Sequence, residues 1–356
     1  MKIGILTQPL HANYGGILQN YALQQVLKQM GHEVWTIDYG KFTWINWLDN
    51  AWRVLAHKML GHKARFAITP PEKDKIEAPL RRFAENNIQL TIPRCKRFNK
   101  KVVRKYGFDA LIVGSDQVWR PMYNYYIEDC FLSFVSHINL KRVAYSASFG
   151  TDKWEFTQQQ TEQCAVLAKK FDGISVREKS GITLCNQYLG VNATHVLDPT
   201  LLMKSKDYIK LCSYIPKREP FVFAYVLDEN EEKRKSIVNF AERRGLSYFI
   251  KGADNTVSDN DTIELWLSYF RDAAFVVTDS FHGTAFSIIF NKDFYVFGNE
   301  KRGNSRFDSL LETFDLKDRM VNNILPAKIE SIDWEEVNKK RETAITNSKL
   351  WLKQNL

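Results

Sequence analysis

The stretch TDSFHGTAFSII, residues 278–289, follows the apolar run Phe275-Val276-Val277 and sets an imidazole, His282, where a strand should turn into a helix. An imidazole there can carry a proton to and from a substrate near neutral pH. Cationic groups stand at other strand ends, with Arg177 after GISV and Lys301 and Arg302 beyond VFG. Guanidinium forks match carboxylate and phosphate. A small substrate with two or three negative charges suits Arg177, Arg302 and the helix N-terminus at His282–Thr284. Ligands of open α/β sheets bind at the carboxyl ends of strands. The polar residues expected there also include Asn13, Tyr14, Gly15 and Gly16, then Ser115, Asp116 and Gln117, then Glu178, Asp198 and Thr200, then Ser280, Gly283 and Thr284, and finally Asn304, Ser305 and Arg306. Simpler readings stand beside these. His282 can be a satisfied turn histidine, NYGG a plain turn, and Asp116 a helix cap.

Several site classes are excluded by motif. The chain has no G-x-G-x-x-G after its first strand, no G-x-x-x-x-G-K-[ST], no H-E-x-x-H and no G-x-S-x-G. That argues against the commonest dehydrogenases, P-loop enzymes, zinc proteases and α/β hydrolases. Five scattered cysteines without a C-x-x-C pair read as reduced, mostly buried thiols, and no metal site is expected. The formal charge of +9 is concentrated. RCKRFNKKVVRK, residues 94–105, holds seven lysines and arginines and no acid. That stretch is either a solvated face or an attractor of an anionic substrate or lipid. Nucleic acid is not expected, because no zinc-finger, helix-turn-helix or RNP signature accompanies the charge.

The elements that must position these groups follow a strand-helix rhythm over all 356 residues. KIGILT (2–7), EVWTID (33–38), DALIVGSD (109–116), RVAYSASFG (142–150), GISVRE (173–178) and THVLDPT (194–200) predict the strands of one mostly parallel sheet. After the linker SYIPKREP (213–220), a second block predicts strands at 221–227, 247–252, 274–280 and 293–298. Helices are predicted between them at 230–243 and 262–272 and over HGTAFSIIF. The domains are therefore 1–212, with an insertion at 41–107, and 213–330. A C-terminal helix at 331–356 follows, able to pack back on the first domain. The insertion carries Trp44, Trp47 and Trp52 near one helical face. These tryptophans either pack inward in a helical subdomain or rest in a membrane interface. No run is apolar enough to span a bilayer and no signal peptide is evident, so a cytoplasmic protein is expected.

Taken in order, ILT…NYGG-x-LQNYALQ, LIVGSDQVW, YSASFG, SVRE, LDPTLL, FVVTDSFHGTAFSI and RGNSRFDSLL resemble the polysaccharide pyruvyl transferase family from Met1 to about Val321. The resemblance implies two Rossmann-like α/β domains facing a cleft, as in glycosyltransferase-B enzymes. It also implies transfer of the pyruvyl group of phosphoenolpyruvate to a sugar, with a cyclic ketal formed and phosphate released. Bacterial members serve capsule, exopolysaccharide and cell-wall polymer synthesis, so the expected acceptor is a galactose residue of a lipid-linked repeat unit at the inner face of the membrane. Phosphoenolpyruvate is then a co-substrate and no cofactor is needed.

On this reading His282 is the acid that protonates the donor's methylene carbon and Asp116 the base for a sugar hydroxyl. Arg177, Ser280, Gly283, Thr284 and either Lys301 or Arg302 bind the donor, and Asn13, Tyr14, Gly15 and Gln117 bind the acceptor. A helix N-terminus disfavours imidazolium, but a bound phosphate dianion would draw the proton back. Two other classes stay open: a nucleotide-sugar glycosyltransferase of the same architecture, and a non-catalytic saccharide-binding member of a polymer-assembly complex.

Overall fold

A computed structural model describes residues 1–11, 13–40, 47–48, 52, 69–252, 261–298 and 304–356. The first sheet holds β1 (Lys2–Leu6), β2 (Glu33–Thr36), β3 (Ala110–Val113), β4 (Lys141–Ala147), β5 (Gly173–Val176) and β6 (Thr194–His195). Its spatial order is β2-β1-β3-β4-β5-β6, and every pairing is parallel. The second sheet holds β7 (Phe221–Tyr225), β8 (Ser247–Lys251), β9 (Phe275–Thr278), β10 (Phe294–Phe297) and β11 (Met320–Val321), ordered β11-β10-β9-β7-β8 and again parallel. Strands such as ALIV, FVFAY, FVVT and FYVF are buried along their whole length. Helices cover both faces of a parallel sheet, and unbroken apolar runs are what such strands require.

The strand expected at 194–200 stops at His195. Asp198 bends the chain by accepting a hydrogen bond from the Thr200 amide at 3.0 Å, and a short 3-10 turn, Pro199–Leu202, follows. β11 was not expected, since two residues are too short to register as a run.

One apolar cluster runs through both domains, from Ile3, Ile5 and Leu23 to Phe223, Trp266 and Phe286. Tyr14 joins it by stacking on Trp266, with ring centroids 5.4 Å apart, and by meeting Tyr225 edge-on at 6.3 Å. The C-terminal helix Trp334–Asn355 lies on the first domain. Ser348 Oγ accepts from the Leu197 amide at 3.1 Å, Arg341 Nη2 donates to the Met203 carbonyl at 2.6 Å, and Lys141 Nζ donates to the Leu356 carbonyl at 3.0 Å.

Within the insertion, the helix Pro70–Asn87 starts at a capping box of Thr69 and Glu72, and Lys100–Tyr106 starts at Asn99 and ends at Gly107 in the left-handed region. Trp47 is half-buried and Trp52 is 69 % exposed, so inward packing fails for Trp52. Trp44 lies outside the described residues. Arg94 and Arg97 of the basic stretch pair with carboxylates, Arg94 with Asp38 and Glu77 and Arg97 with Asp129. Lys96, Lys100, Lys101, Arg104 and Lys105 are exposed. Among the described residues no helix is long and apolar enough to cross a membrane.

Candidate active site

Each sheet has one point where the strand order reverses, between β1 and β3 in the first and between β7 and β9 in the second. Loops diverge at such points and leave a crevice. Asn13–Gly16 and Ser115–Gln117 flank the first, and Leu227–Asp228 and Asp279–His282 flank the second. Asp279 holds the second crevice together, accepting from the Leu227 amide at 2.6 Å, the Asp228 amide at 2.9 Å and Lys233 Nζ at 3.2 Å.

The helix Phe281–Ile289 begins at this point. Ser280 Oγ accepts from the Gly283 amide at 3.3 Å, and Thr284 Oγ1 donates to the Ser280 carbonyl at 3.1 Å. A side chain on Gly283 would lie 2.1 Å from Thr278 Oγ1. Ser280 and Thr284 thus hold the helix's own first turn, and Gly283 leaves room for Thr278. The amides of Phe281 and His282 remain at the open end.

His282 is buried and reaches across to the first domain, with Nε2 3.8 Å from Asp198 Oδ2. Its other edge lies against Gly15, where an added Cβ would be 1.9 Å from Nδ1. The glycine in NYGG is thus required by close approach rather than by a turn. Asp198 is held on both oxygens. Oδ1 accepts from the Thr200 amide at 3.0 Å and Thr200 Oγ1 at 2.7 Å, and Oδ2 from Ser115 Oγ at 2.7 Å and Arg177 Nη1 at 3.1 Å. The Arg177 guanidinium carbon lies over the Phe281 ring, 4.4 Å from its centre, with Nη2 3.6 Å from Asp116 Oδ1. Asp116 does not cap a helix. It sits at φ +75°, a region non-glycine residues rarely adopt, bridged to Ala147. Its Oδ1 accepts from the Gln117 amide at 2.9 Å, and Asn13 Nδ2 donates to Oδ2 at 3.5 Å.

Burial pushes the His282 imidazole below its ordinary value, and Arg177 adds to that shift while Asp198 opposes it. Burial alone would raise the Asp198 carboxyl, but the charge that His282 carries when protonated, the Arg177 guanidinium and the bonds from Thr200 and Ser115 hold it below the ordinary range. The free site therefore holds a carboxylate and a neutral imidazole. Arg306, also buried, is pulled down to about 10, by burial first and by Arg177 second, while Glu178 and Asp116 oppose the shift. It remains a cation at neutral pH.

His282 Nε2, Arg177 Nε and Nη2, and Glu178 Oε2 are all buried without a hydrogen-bond partner. Glu178 Oε1, by contrast, accepts from Ser148 Oγ at 3.1 Å and from the amides of Phe149 at 2.7 Å and Gly150 at 3.1 Å. Each buried unpaired polar group costs about 1–3 kcal/mol. Buried groups of this kind at facing strand ends make this a candidate ligand site.

The remaining expected residues have definite places. Asn13 caps the helix Tyr14–Gln29, accepting from the Gly16 amide at 3.1 Å. Tyr14 is 8 % exposed, and its ring packs in the interdomain core. Gln117 Oε1 accepts from Arg120 Nη1 at 3.1 Å. Lys301 and Arg302 lie outside the described residues. Among the described residues no three His, Cys, Asp or Glu side chains group to hold a metal ion. Asp198, Glu178 and Arg306 were visible in the sequence only as polar residues near strand ends. Nothing in their spacing says that they converge.

Two parallel α/β domains with facing reversal points define the class, the glycosyltransferase-B arrangement. UDP-GlcNAc 2-epimerase from Neisseria meningitidis, in a structure bound to UDP-GlcNAc, shares this fold at a TM-score of 0.51 and 9 % identity, over 100 % of this chain and 99 % of that one. UDP-GlcNAc 2-epimerase from Methanocaldococcus jannaschii (TM-score 0.48, 13 % identity, 97 % and 93 % covered) and MurG from Acinetobacter baumannii (0.45, 8 %, 99 % and 94 %) are looser matches. No curated protein matches the sequence. The polysaccharide pyruvyl transferase family model matches residues 13–301, and the chain belongs to that family.

Proposed function

We propose that the protein transfers the pyruvyl group of phosphoenolpyruvate to two hydroxyls of one sugar, a galactose residue of a lipid-linked polysaccharide repeat unit, at the cytoplasmic face of the membrane. The observation that supports this best is that His282 Nε2 and Arg177 Nε and Nη2 are buried without a hydrogen-bond partner, with only longer ion-pair contacts to Asp198 and Asp116. A proton carrier and an anion fork stand together and lack the group that would complete them. Arg177 and Arg306 take the donor's carboxylate and phosphate, and the Phe281 and His282 amides add donors at the helix N-terminus.

Binding the phosphate adds negative charge beside a neutral imidazole and raises its proton affinity. His282 then gives its proton to the methylene carbon, and positive charge develops at the carbon bearing the phosphate. A sugar hydroxyl attacks that carbon and loses its proton to Asp116. The carbon–oxygen bond to phosphate breaks, and phosphate leaves with the bonding pair. A second hydroxyl of the same sugar closes the ketal and gives its proton to the neutral His282, while Asp116 passes the first hydroxyl's proton to the departing phosphate. Asp198, 3.8 Å from Nε2, stabilises the charged form of the imidazole. The scheme calls on no cofactor.

Incubation with phosphoenolpyruvate and a panel of galactosides tests the reading. The expected result is one phosphate released per pyruvyl ketal gained by mass. Release of a nucleoside diphosphate from a nucleotide sugar, with phosphoenolpyruvate untouched, would replace it with the glycosyltransferase reading.

A further inference from the structure

A cavity of about 170 Å³ opens on the first domain. Tyr123, Tyr125 and Tyr126 line it and are exposed by 50 %, 80 % and 49 %. Three neighbouring aromatic rings left to solvent are uncommon, and contiguous exposure of this kind marks a binding surface. The Tyr125 and Tyr126 rings stand nearly perpendicular, at 86° with centroids 4.9 Å apart, and form a corner.

The corner is built rather than loose. Asn124 Nδ2 donates to the Val118 carbonyl at 2.9 Å and lies within bonding distance of the Gln117 carbonyl at 3.3 Å. Arg97 covers the Tyr126 ring at 3.6 Å and pairs with Asp129. Arg120 grips Glu155 through two bonds of 2.9 Å and lies 5.3 Å from the Tyr123 ring centre. A surface held in place before binding loses less entropy on binding.

The wall of the cavity is bonded to the loop that carries Asp116. Gln8, which lines it, donates to the Gln117 carbonyl at 2.9 Å, and Gln117 adjoins Asp116. Ring faces suit the C–H face of a pyranose, and the phenols, Gln8 and Lys96 suit its hydroxyls.

We propose that this corner is a saccharide subsite, holding the sugar of the acceptor chain next to the one that receives the group. It rests on the transferase reading for what happens next door, but it is tested without turnover. Wild-type protein and the Tyr123→Ala, Tyr125→Ala and Tyr125→Phe variants are applied to an array of bacterial surface oligosaccharides and their component monosaccharides, and phosphoenolpyruvate affinity is measured by calorimetry. Oligosaccharide binding should fall roughly ten-fold or more in both alanine variants and stay near wild type in Tyr125→Phe. Monosaccharide and donor affinities should not change. Absence of oligosaccharide binding by the wild type, or equal binding by the alanine variants, overturns the subsite. Oligosaccharide binding that depends on these tyrosines, with no pyruvyl transfer, supports the subsite and rejects the transferase reading instead.

Discussion

Gly15→Ala tests the site at its tightest contact. The added Cβ would sit 1.9 Å from His282 Nδ1, 2.1 Å from Cγ and 2.6 Å from Cε1. Ordinary contact begins near 3.4 Å, so the imidazole must retreat by about 1.5 Å. It cannot do so and keep Nε2 facing Asp198 at 3.8 Å. Misplacement by about 1 Å costs about 10²-fold in rate, so turnover should fall at least that far. Stability should change little by comparison. Overpacking costs about 1–3 kcal/mol, while alanine in place of a helical glycine returns up to about 1 kcal/mol. Gly16→Ala is the comparison, because its Cβ would meet Asn13 and the proposed base Asp116 at 3.3 Å rather than His282, and its loss of turnover should be smaller. The assay is phosphate release from phosphoenolpyruvate with a saturating acceptor, beside thermal melting. A Gly15→Ala protein with near-native turnover would refute the placement of His282 at the reacting centre.

The protonation of His282 gives a second expectation. Burial holds the imidazole below its ordinary value of 6.5, so the unfolded chain binds more protons between that lowered value and 6.5. Stability should therefore decline as pH falls through this window, and His282→Gln should remove that part of the slope while costing about 10²–10⁴-fold in rate. Phosphoenolpyruvate should move the histidine NMR titration upward, and a titration already at or above 6.5 without donor contradicts the scheme. Arg177→Lys should weaken donor binding by calorimetry at least ~10-fold, because an ammonium cannot bridge Asp198 and Asp116 and still present a fork. Unchanged donor affinity would remove Arg177 from the anion site. With Arg94 and Arg97 committed to carboxylates, five cations of residues 94–105 remain to meet an anionic leaflet, at about 1 kcal/mol each. Flotation with anionic liposomes should show binding at low salt that fades at high salt, and no binding in either rules out that contact.

The alternation of strands and helices was legible because each strand of a covered parallel sheet must be apolar throughout. KIGIL, ALIV, FVFAY, FVVT and FYVF announce themselves in this way, and the same logic puts polar residues such as Asp116, Arg177 and His282 at strand ends. The long ordered motifs carried the family. The sequence did not reveal which of those polar residues meet. Asp198, Ser115 and Arg177 converge on His282 only because two domains close over a shared core through Tyr14, Trp266 and Phe286. It also hid that Ser280 and Thr284 serve their own helix, since a capping hydroxyl and a ligand-binding one look alike in a list of residues. Local apolar patterning determined the elements and their order, because burial acts on each segment separately. The reaction site was decided by tertiary structure alone, because its decisive facts, the space denied to a side chain at Gly15 and the charge pair set around His282, are distances between segments far apart in the chain.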